Sequence, residues 1–542
     1  FSQNFTTSTD NYNTAVGYNA GGAVTTGTLN TLIGGLAGDA LTVGGSNVAV
    51  GFEALSTEDG NGESVAVGYR ALKTQNAGVA GYNTAMGWDA GLSLTTGIRN
   101  VFIGAEAGDA VTDSDDNVAV GQGALSTNTL GSKSVALGQA ALFAQNYGTA
   151  TDSKNTAVGY HAGVAVTTGV KNTLIGTTAG ASLTDADLNT AVGFDALASD
   201  TLGSRSVAIG KSTLNAQNFT TATQTYNTAV GYHAGLAVTT GHSNTLIGGL
   251  AGDALTDGVE NVALGYNSLG ADTRGSKSVA LGKEALKVQN QTTSVSTYNV
   301  AVGFKAGVAV STGVQNTFVG GQAGDGTDDG NNNTAVGYLA LSANAGDDNT
   351  AVGRSALLVC TGTDNTALGK DAGSSLTSGS NCLVLGHDAG ITGSPGGNLT
   401  SGNNDLVLGD ENISGANIQV SFTVASDQRD KTDFTALDVG LDFVKALNPV
   451  TYKWDKRSKY GDKYAEDYDL NAQTPDGTHK EDWLDVGFKA QEVEALEKAA
   501  GYNIADKTNL TTTLSNDGKQ YGMQYEKFVP ILVKAIQELS AK

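Results

Sequence analysis

The side chains that could most clearly take part in a chemical reaction lie in one short stretch, ASDQRDKTDF, at residues 425–434. Ser426 offers a hydroxyl nucleophile and Lys431 offers an amine. An amine that is desolvated enough to be neutral can take the proton of a serine, and the serine can then attack a carbonyl carbon. A serine and a lysine five residues apart are common in proteins, so the chemistry of this pair depends on the elements that hold it.

Other groups in the sequence could bind metal. Two Asp-rich stretches, TDSDDN at residues 112–117 and GTDDGNNN at residues 326–333, offer oxygen ligands for Ca²⁺. Their Asp spacing does not repeat along the chain, so we expect solvated turns and no metal or other cofactor. Cys360 and Cys382 occupy different positions in their local sequence pattern, and we expect two buried, unpaired thiols.

The candidate pair opens a C-terminal region whose composition differs from everything before it. Residues 426–542 hold 37 charged residues, against 48 in the preceding 425, and only 7 of the 74 glycines. Strand-like and helix-like patterns alternate, as in PVTYKW and VGFKAQEVEALEKAAG. The last helical pattern has coiled-coil spacing at Phe528, Leu532, Ala535 and Leu539. We predict a small α/β domain that ends in a coiled-coil helix.

Upstream of this region the chain is one short repeat of the form Asn/Ser-Thr/Val-apolar-aliphatic-Gly. Its glycine recurs at 23 positions from Gly17 to Gly409, mostly 17 residues apart, and every fourth copy is followed by a longer loop. A fixed short period indicates a β-solenoid in which each repeat makes one coil. We expect two strands per coil. The third motif position should face one side, and the second and fourth positions the other.

Both sides of these strands are apolar, which predicts that both are buried. A coil of this length is too thin to cover its own outer side, so neighbouring copies of the chain around a three-fold axis are the economical cover. The Asn before each strand either forms a hydrogen-bonded ladder from coil to coil or only tolerates the turn conformation. The longer loops, which share the letters QN, are expected to bulge from the shaft.

Charge and hydropathy exclude several classes of partner. The net charge is -23, and no Lys/Arg cluster occurs before the last quarter of the chain. Phosphate binding needs concentrated positive charge, so nucleic acid and anionic membrane surfaces are excluded as partners. No stretch approaches the ~18 consecutive apolar residues of a membrane span, which excludes membrane insertion. No clustered pair of carboxylates interrupts the repeat, which disfavours a glycan-degrading enzyme.

The repeat itself carries a resemblance. Its forms SVAVG, SVALG and SVAIG, together with the NTAVG variants, resemble the head repeats of trimeric autotransporter adhesins. The resemblance implies a left-handed parallel β-roll that three chains share. We therefore predict a mainly β fold, with a trimeric parallel β-roll or β-solenoid shaft of about 17-residue coils, followed by the small α/β domain.

The C-terminal region carries a second resemblance. SDxRxK, followed in order by LNPVTYKW, GFKAQEV and FVPILVKAIQEL, resembles the intramolecular chaperone domain of phage endosialidase tail spikes and related fibres. In that family the domain trimerises the chain, guides folding of the upstream β-structure and then cuts itself off before the serine. The resemblance implies Ser426 as nucleophile, Lys431 as base, Asp427 and Arg429 as supporting residues, and the scissile bond between Ala425 and Ser426.

The patterns and the resemblances together predict a homotrimeric phage tail fibre. Its parts are a repeat shaft at residues 1–386, a distal shaft and tip segment at 387–425 and a self-cleaving chaperone at 426–542. The expected chemistry is one serine-type autoproteolytic cut per chain, without turnover. Expected partners are the other two chains, a host glycan or protein receptor and an upstream baseplate or tail component. The expected location is the virion, outside the cell, after synthesis in the host cytoplasm.

Two alternatives stay open: a bacterial cell-surface trimeric adhesin that keeps its C-terminal domain, and a glycan-degrading tail spike. The opening of the chain adds one further expectation. Residues 3–17 match residues 217–231 almost letter for letter, and in the later units this loop is preceded by another coil. We therefore expect the chain to begin inside a four-coil unit, with the upstream part of the fibre missing.

Overall fold

The structure, a computed structural model, describes residues 3–465 and 467–542. The first two residues of the predicted shaft and Glu466 of the predicted chaperone lie outside the described residues. The chain forms two compact units that divide between Thr312 and Gly313. Each unit is described by itself below.

The first unit is a β-solenoid with one three-residue parallel strand per coil. Each strand pairs in register with its equivalent in the next coil, as Thr14–Val16 does with Thr31–Ile33. The 17 strands are Thr14–Val16, Thr31–Ile33, Val48–Val50, Val65–Val67, Thr84–Met86, Val101–Ile103, Val118–Val120, Val135–Leu137, Thr156–Val158, Thr173–Ile175, Thr190–Val192, Val207–Ile209, Thr228–Val230, Thr245–Ile247, Val262–Leu264, Val279–Leu281 and Val300–Val302. Two-residue strands pair Gly131–Ser132 with Thr151–Asp152, Gly203–Ser204 with Thr223–Gln224, and Gly275–Ser276 with Val295–Ser296.

The interior of the solenoid is built from small and aliphatic side chains. In one coil Leu32, the middle residue of its strand, is fully buried with Ala37 and Leu41. The neighbouring strand positions, Thr31 and Ile33, are partly exposed. The third motif position therefore faces the interior, and it lies on the opposite side from the second and fourth positions, as predicted. The outer side of the strand is open in the single chain, and its burial by neighbouring copies stays a prediction.

Most coils have one short strand where we expected two longer ones, and the second strand of the remaining coils has only two residues, so that prediction is wrong. The half of the coil that follows the strand contains Leu36 and Gly38, whose φ angles are 60° and 54°. Residues in this left-handed region cannot continue an extended strand. The turns still bond from coil to coil, because the N–H of Gly38 donates to the carbonyl of Ala54 at 2.9 Å.

Where an asparagine precedes the strand, it forms the ladder, which is one of the two interpretations that the sequence left open. The Oδ1 of Asn30 accepts the backbone N–H of Asn47 at 3.0 Å, and the Oδ1 of Asn13 accepts that of Asn30 at 2.8 Å. The Nδ2 of Asn30 donates to the carbonyl of Gly44 at 2.9 Å. Each side chain thus joins two coils, and the same pattern recurs along the chain. The ladder is confirmed, and it satisfies amide groups that are otherwise buried without partners.

The glutamine of each QN loop points inward, which corrects the expectation that this pair belongs to an outward bulge. Gln217 is fully buried at a position where many other coils carry Val or Leu. Its Nε2 donates to Asp200 Oδ2 at 2.6 Å and to Ser206 Oγ at 3.0 Å. Buried polar groups need hydrogen-bond partners, so the two side chains occur as a matched pair. The corresponding glutamines of the other units, Gln75, Gln145 and Gln289, are buried as well.

The second unit begins with more coils and ends in the small α/β domain. Its solenoid strands are Thr317–Val319, Thr334–Val336, Thr350–Val352, Thr366–Leu368, Leu383–Leu385 and Leu406–Leu408. Three helices follow: α1 at Leu441–Ala446, α2 at Ala490–Ala499 and α3 at Phe528–Ser540. Antiparallel hairpins pair Val450–Tyr452 with Asp485–Gly487 and Thr512–Leu514 with Tyr521–Met523. Short 3-10 turns lie at Gln428–Asp430, Arg457–Lys459, Leu470–Ala472 and Tyr525–Lys527.

The predicted mainly β fold with a small C-terminal domain is confirmed. The core of that domain contains Val439, Phe443, Val493, Phe528 and Ile531. α3 packs on α1 through this core. Among the described residues, no helix has both the length and the apolar character needed to cross a membrane.

The predicted coiled-coil side of α3 is shifted by one residue. Phe528 and Ala535 are buried inside the domain and are not on an open seam. A row of exposed apolar residues lies beside them at spacings of three and four, namely Val529, Leu532, Ile536 and Leu539, with exposed fractions of 43–65%. This spacing is that of the a and d positions of a coiled coil.

Candidate functional site

A short turn brings the two predicted catalytic residues together. The 3-10 turn Gln428–Asp430 reverses the chain between Ser426 and Lys431. Asp427 caps the turn, because its side chain accepts the backbone N–H of Arg429 at 2.9 Å. Aspartate is favoured at this position because its carboxylate satisfies an otherwise free N–H.

The lysine amine contacts the serine hydroxyl directly. Lys431 Nζ lies 2.5 Å from Ser426 Oγ and 3.4 Å from the Ser426 carbonyl oxygen. A nucleophile and a base within hydrogen-bond distance are the geometric requirement for activation of a serine. The local fold of residues 426–431 alone meets this requirement.

The two supporting residues pair with each other. The Arg429 guanidinium donates to the Asp427 carboxylate, with a shortest distance of 2.6 Å. The hydrogen bonds from the side chain and backbone of Arg429 lower the pKa of Asp427 below its ordinary value. Asp427 and Arg429 therefore hold the turn and make no contact with the serine hydroxyl in the single chain.

The dyad is open to solvent in the single chain. Ala425 and every residue from 426 to 431 are exposed. A lysine acts as a general base only where its surroundings disfavour the charged form, which burial does. The single chain therefore brings the lysine and the serine to the required distance. It does not bury the lysine, as its role as a general base requires.

A buried ionic cluster lies where the α/β domain meets the last coils of its unit. Lys463 Nζ lies 2.9 Å from Asp388 Oδ2 and 2.8 Å from Glu411 Oε1, and the three side chains are between 0% and 12% exposed. Tyr464 also donates its hydroxyl to Asp388. Nearby, Lys456 Nζ donates to the carbonyl of Glu411 at 2.7 Å.

The electrostatics of this cluster favour the ionised lysine. Burial lowers the pKa of Lys463, but the bonds to Glu411 and Asp388 outweigh it and raise the pKa above its ordinary value. Burial and the bond to Asp388 raise the pKa of Tyr464 to about 12. No sequence signal pointed to this cluster, because its acidic members are 52 and 75 residues away from the lysine.

The predicted Asp-rich turns bond to the neighbouring coil. Arg99 pairs with Asp116 at 2.6 Å and lies 3.8 Å from Asp115. Within residues 3–465 and 467–542, the one group with three candidate metal ligands is His387, Asp388 and Asp410. Asp388 already holds the ammonium of Lys463, which competes with a cation at this place.

The two cysteines are buried and free, as predicted. Burial raises the pKa of both thiols, so neither is poised as a thiolate nucleophile. Cys382 replaces the ladder asparagine of its coil, and its N–H donates to Asn365 Oδ1 at 3.0 Å. Cys360 takes an interior position that Leu or Val holds in many other coils.

Comparison with known families agrees with the motif at the candidate dyad. Residues 426–502 match the family model of the chaperone of endosialidase, Peptidase_S74. The match begins at Ser426 and includes the dyad, α1 and α2. No curated protein and no solved structure matches the chain. The family match and the β-solenoid coils together fit a tail fibre with a C-terminal chaperone domain.

Proposed function

We propose that the chain is a trimeric fibre protein whose C-terminal domain assembles three copies and then cuts itself from the shaft. The observation that carries the proposal is the combination of a β-solenoid with a chaperone-type domain that begins at Ser426. Solenoid strands expose free edges and an uncovered outer side while they form, so they are prone to misassembly. A domain that first brings three chains together reduces this risk.

Open apolar surfaces support self-association. The exposed row on α3 (Val529, Leu532, Ile536 and Leu539) has coiled-coil spacing. On the solenoid, the outer strand positions Ile33 and Leu264 are 38% and 47% exposed. Surfaces of this kind mark interaction sites, and further copies of the same chain are the partner proposed for both.

The proposed cut uses Ser426 and Lys431. Lys431, as the free amine, takes the hydroxyl proton while Ser426 Oγ attacks the carbonyl carbon of Ala425. The peptide C–N bond breaks, the serine nitrogen receives the proton, and an ester joins Ala425 to the serine oxygen. Water then hydrolyses the ester to a carboxylate on Ala425 and the free hydroxyl of Ser426. Each chain reacts once.

The proposed setting is a virion. A cut fibre would attach to a baseplate or tail component through an upstream part and contact a host glycan or protein receptor with the shaft or the distal segment at 387–425. The family match supports the tail-fibre setting, because the same domain type occurs in endosialidase tail spikes. A chain that lacks residues 391–404 is assembled into fibres and assayed for adsorption to host cells. This experiment tests the role of the distal segment.

Native mass spectrometry of the full chain tests the assembly. The S426A chain, which stays in one piece, should have three times the 54.8 kDa mass of a single chain. Ile536→Asp places a charge on the exposed row of α3 and should shift the population toward single chains. Gln537→Asp, one residue away and also exposed, is the matched control and should leave the trimer intact. A monomeric S426A chain would contradict the proposal.

A further inference from the structure

The segment directly before the proposed cleavage site has the pattern of a β-strand but no partner strand in the structure. In residues 417–424 (NIQVSFTV) apolar residues alternate with polar ones. The apolar residues Ile418, Val420, Phe422 and Val424 are 52–80% exposed. Strict alternation is typical of a strand with one buried side. The buried side of this strand must therefore be supplied from elsewhere.

A matching slot lies at the end of the last coil. A cavity of about 1160 Å³ is bounded by the strand Leu406–Leu408 and by both hairpins of the α/β domain. Its lining includes the aromatic side chains of Tyr452, Trp454, Phe488 and Tyr525. This terminal slot exceeds the roughly 300–1,000 Å³ of small-ligand pockets, so its size suits a peptide segment.

The strand at the wall of the terminal slot has a free edge. Leu406–Leu408 pairs on one side with Leu383–Leu385. On its other side no strand within the described residues pairs with it. Leu406 and Leu408 are 63% and 53% exposed. A free strand edge with an apolar surface is a template for an added strand from another chain.

We propose that residues 417–424 of one copy lie in the terminal slot of a second copy as an added β-strand. The apolar side chains of the segment would face the aromatic and aliphatic residues within the mixed lining of the slot. The inference rests on the proposed trimer, since each copy gives one segment and receives one, and such head-to-tail contacts close into a ring. In the single chain residues 417–424 are exposed and do not lie in the slot of the same chain.

The area that the segment would bury is that of an auxiliary contact. A Val, Ile or Phe side chain removes about 100 Å² of apolar surface from water when it is buried. Four such side chains and an equal area of the slot amount to about 800 Å² per contact. A standard stable interface buries roughly 1,200–2,000 Å², so each contact supplies about half of one and acts together with the proposed contacts of the solenoid and α3.

Disulfide trapping between two kinds of full-length chain tests the inference. Both chains carry S426A, so that a cut does not separate segment from slot. One chain carries V420C and an affinity tag, and the co-expressed untagged chain carries L406C. Mild oxidation should join a tagged to an untagged chain, as seen on a non-reducing denaturing gel. The native Cys360 and Cys382 are buried and do not compete.

The matched control replaces V420C by S421C, whose side chain points to the opposite side of the strand, and the linked pair should then be lost. The pair F422C and L408C repeats the test in case V420C fails to fold. Equal linkage by S421C would overturn the inference. So would a disulfide within one chain that carries both V420C and L406C. A trimeric S426A chain without any disulfide also overturns it while leaving the proposed function intact, whereas a monomeric S426A chain overturns both.

Discussion

At the residue scale, the spacing of Ser426 and Lys431 carries the candidate chemistry. The sequence could predict their contact because SDxRxK contains its own turn: Asp427 caps a 3-10 turn that places Lys431 Nζ 2.5 Å from the hydroxyl. It could not predict that the pair is open to solvent. Exposure depends on which surface covers the turn, and no local pattern encodes that.

Replacement of Lys463 should strongly lower the free energy of unfolding of the second unit. Lys463→Met would leave Asp388 and Glu411 buried without their cation, and breaking a buried ion pair in this way costs about 3–5 kcal/mol. Chemical denaturation of the S426A chain, followed by the fluorescence of its tryptophans, measures the change. The exposed Lys480→Met is the control and should change the free energy of unfolding by less than about 0.5 kcal/mol. Equal stability of the two variants would show that the cluster does not hold the domain.

Glu497 gives the C-terminal domain a dependence on pH. Its carboxylate is buried and accepts the backbone N–H of Thr511 and the hydroxyls of Thr511 and Thr512, each at 2.6 Å. Burial raises the pKa of Glu497, but these bonds outweigh burial and lower it below the ordinary 4.5. A carboxyl with a lowered pKa stabilises the fold above its unfolded pKa. This contribution is lost as pH falls through the folded value.

Glu497→Gln should therefore destabilise the domain at neutral pH by about 1–3 kcal/mol, because an amide donor would replace one of the two acceptor oxygens. The difference between variant and parent should shrink as pH falls below 4.5 toward the lower pKa of the folded state, where the carboxylate of the parent becomes protonated. Thermal unfolding between about pH 3 and pH 7 measures both effects. Glu526→Gln, at an exposed glutamate, should show neither. A gap between Glu497→Gln and parent that stays constant with pH would argue against this account.

At the element scale, the period of the coils was predictable and their internal shape was not. The recurring glycine and the apolar pattern indicated the coil, its strand and the alternation of its two sides. The asparagine ladder was one of two interpretations of the same register, and the structure decides in its favour. The number of strands per coil was not predictable. Left-handed φ angles occur at ordinary residues such as Leu36 and Leu55, and these residue types give no sign of that backbone conformation.

The recurring glycine can be tested at one coil. Gly34 has φ 137°, and a Cβ there would lie 2.3 Å from the carbonyl oxygen of Gly51 in the next coil. Gly34→Ala should destabilise the solenoid by at least about 3 kcal/mol, because overpacking adds to the strained backbone. Gly148→Ala, where nothing lies within 4 Å of the added Cβ, should be nearly neutral. Thermal unfolding of the two variants compares them, and similar melting temperatures would show that the close approach is not required.

The final helix shows why a heptad pattern alone can be misread. The row at Phe528, Leu532, Ala535 and Leu539 and the row at Val529, Leu532, Ile536 and Leu539 are both apolar at coiled-coil spacing. The structure buries Phe528 and Ala535 within the domain, so the second row is the open one. Which row faces the core depends on Val439, Phe443 and Val493, which lie far away in the sequence.

At the scale of the whole molecule, the family match at residues 426–502 and the solenoid coils fit the same kind of protein, a fibre with a C-terminal chaperone domain. In the proposed trimer, neighbouring copies cover the open outer side of the solenoid, and the C-terminal domain brings these copies together. Removal of that domain afterwards would make unfolding slow, because the assembly template is gone. A surface adhesin that keeps its C-terminal domain would instead remain uncut.

The denatured mass of the expressed chain is the direct test of the claim that the chain cuts itself. We expect two products in the wild type, one that ends at Ala425 and one of 117 residues that begins at Ser426. Ser426→Ala and Lys431→Ala should each give one intact chain, while Lys480→Ala, at an exposed lysine outside the dyad, should be cut like the wild type. A wild-type chain that forms the trimer and yet keeps its full mass would contradict the claim.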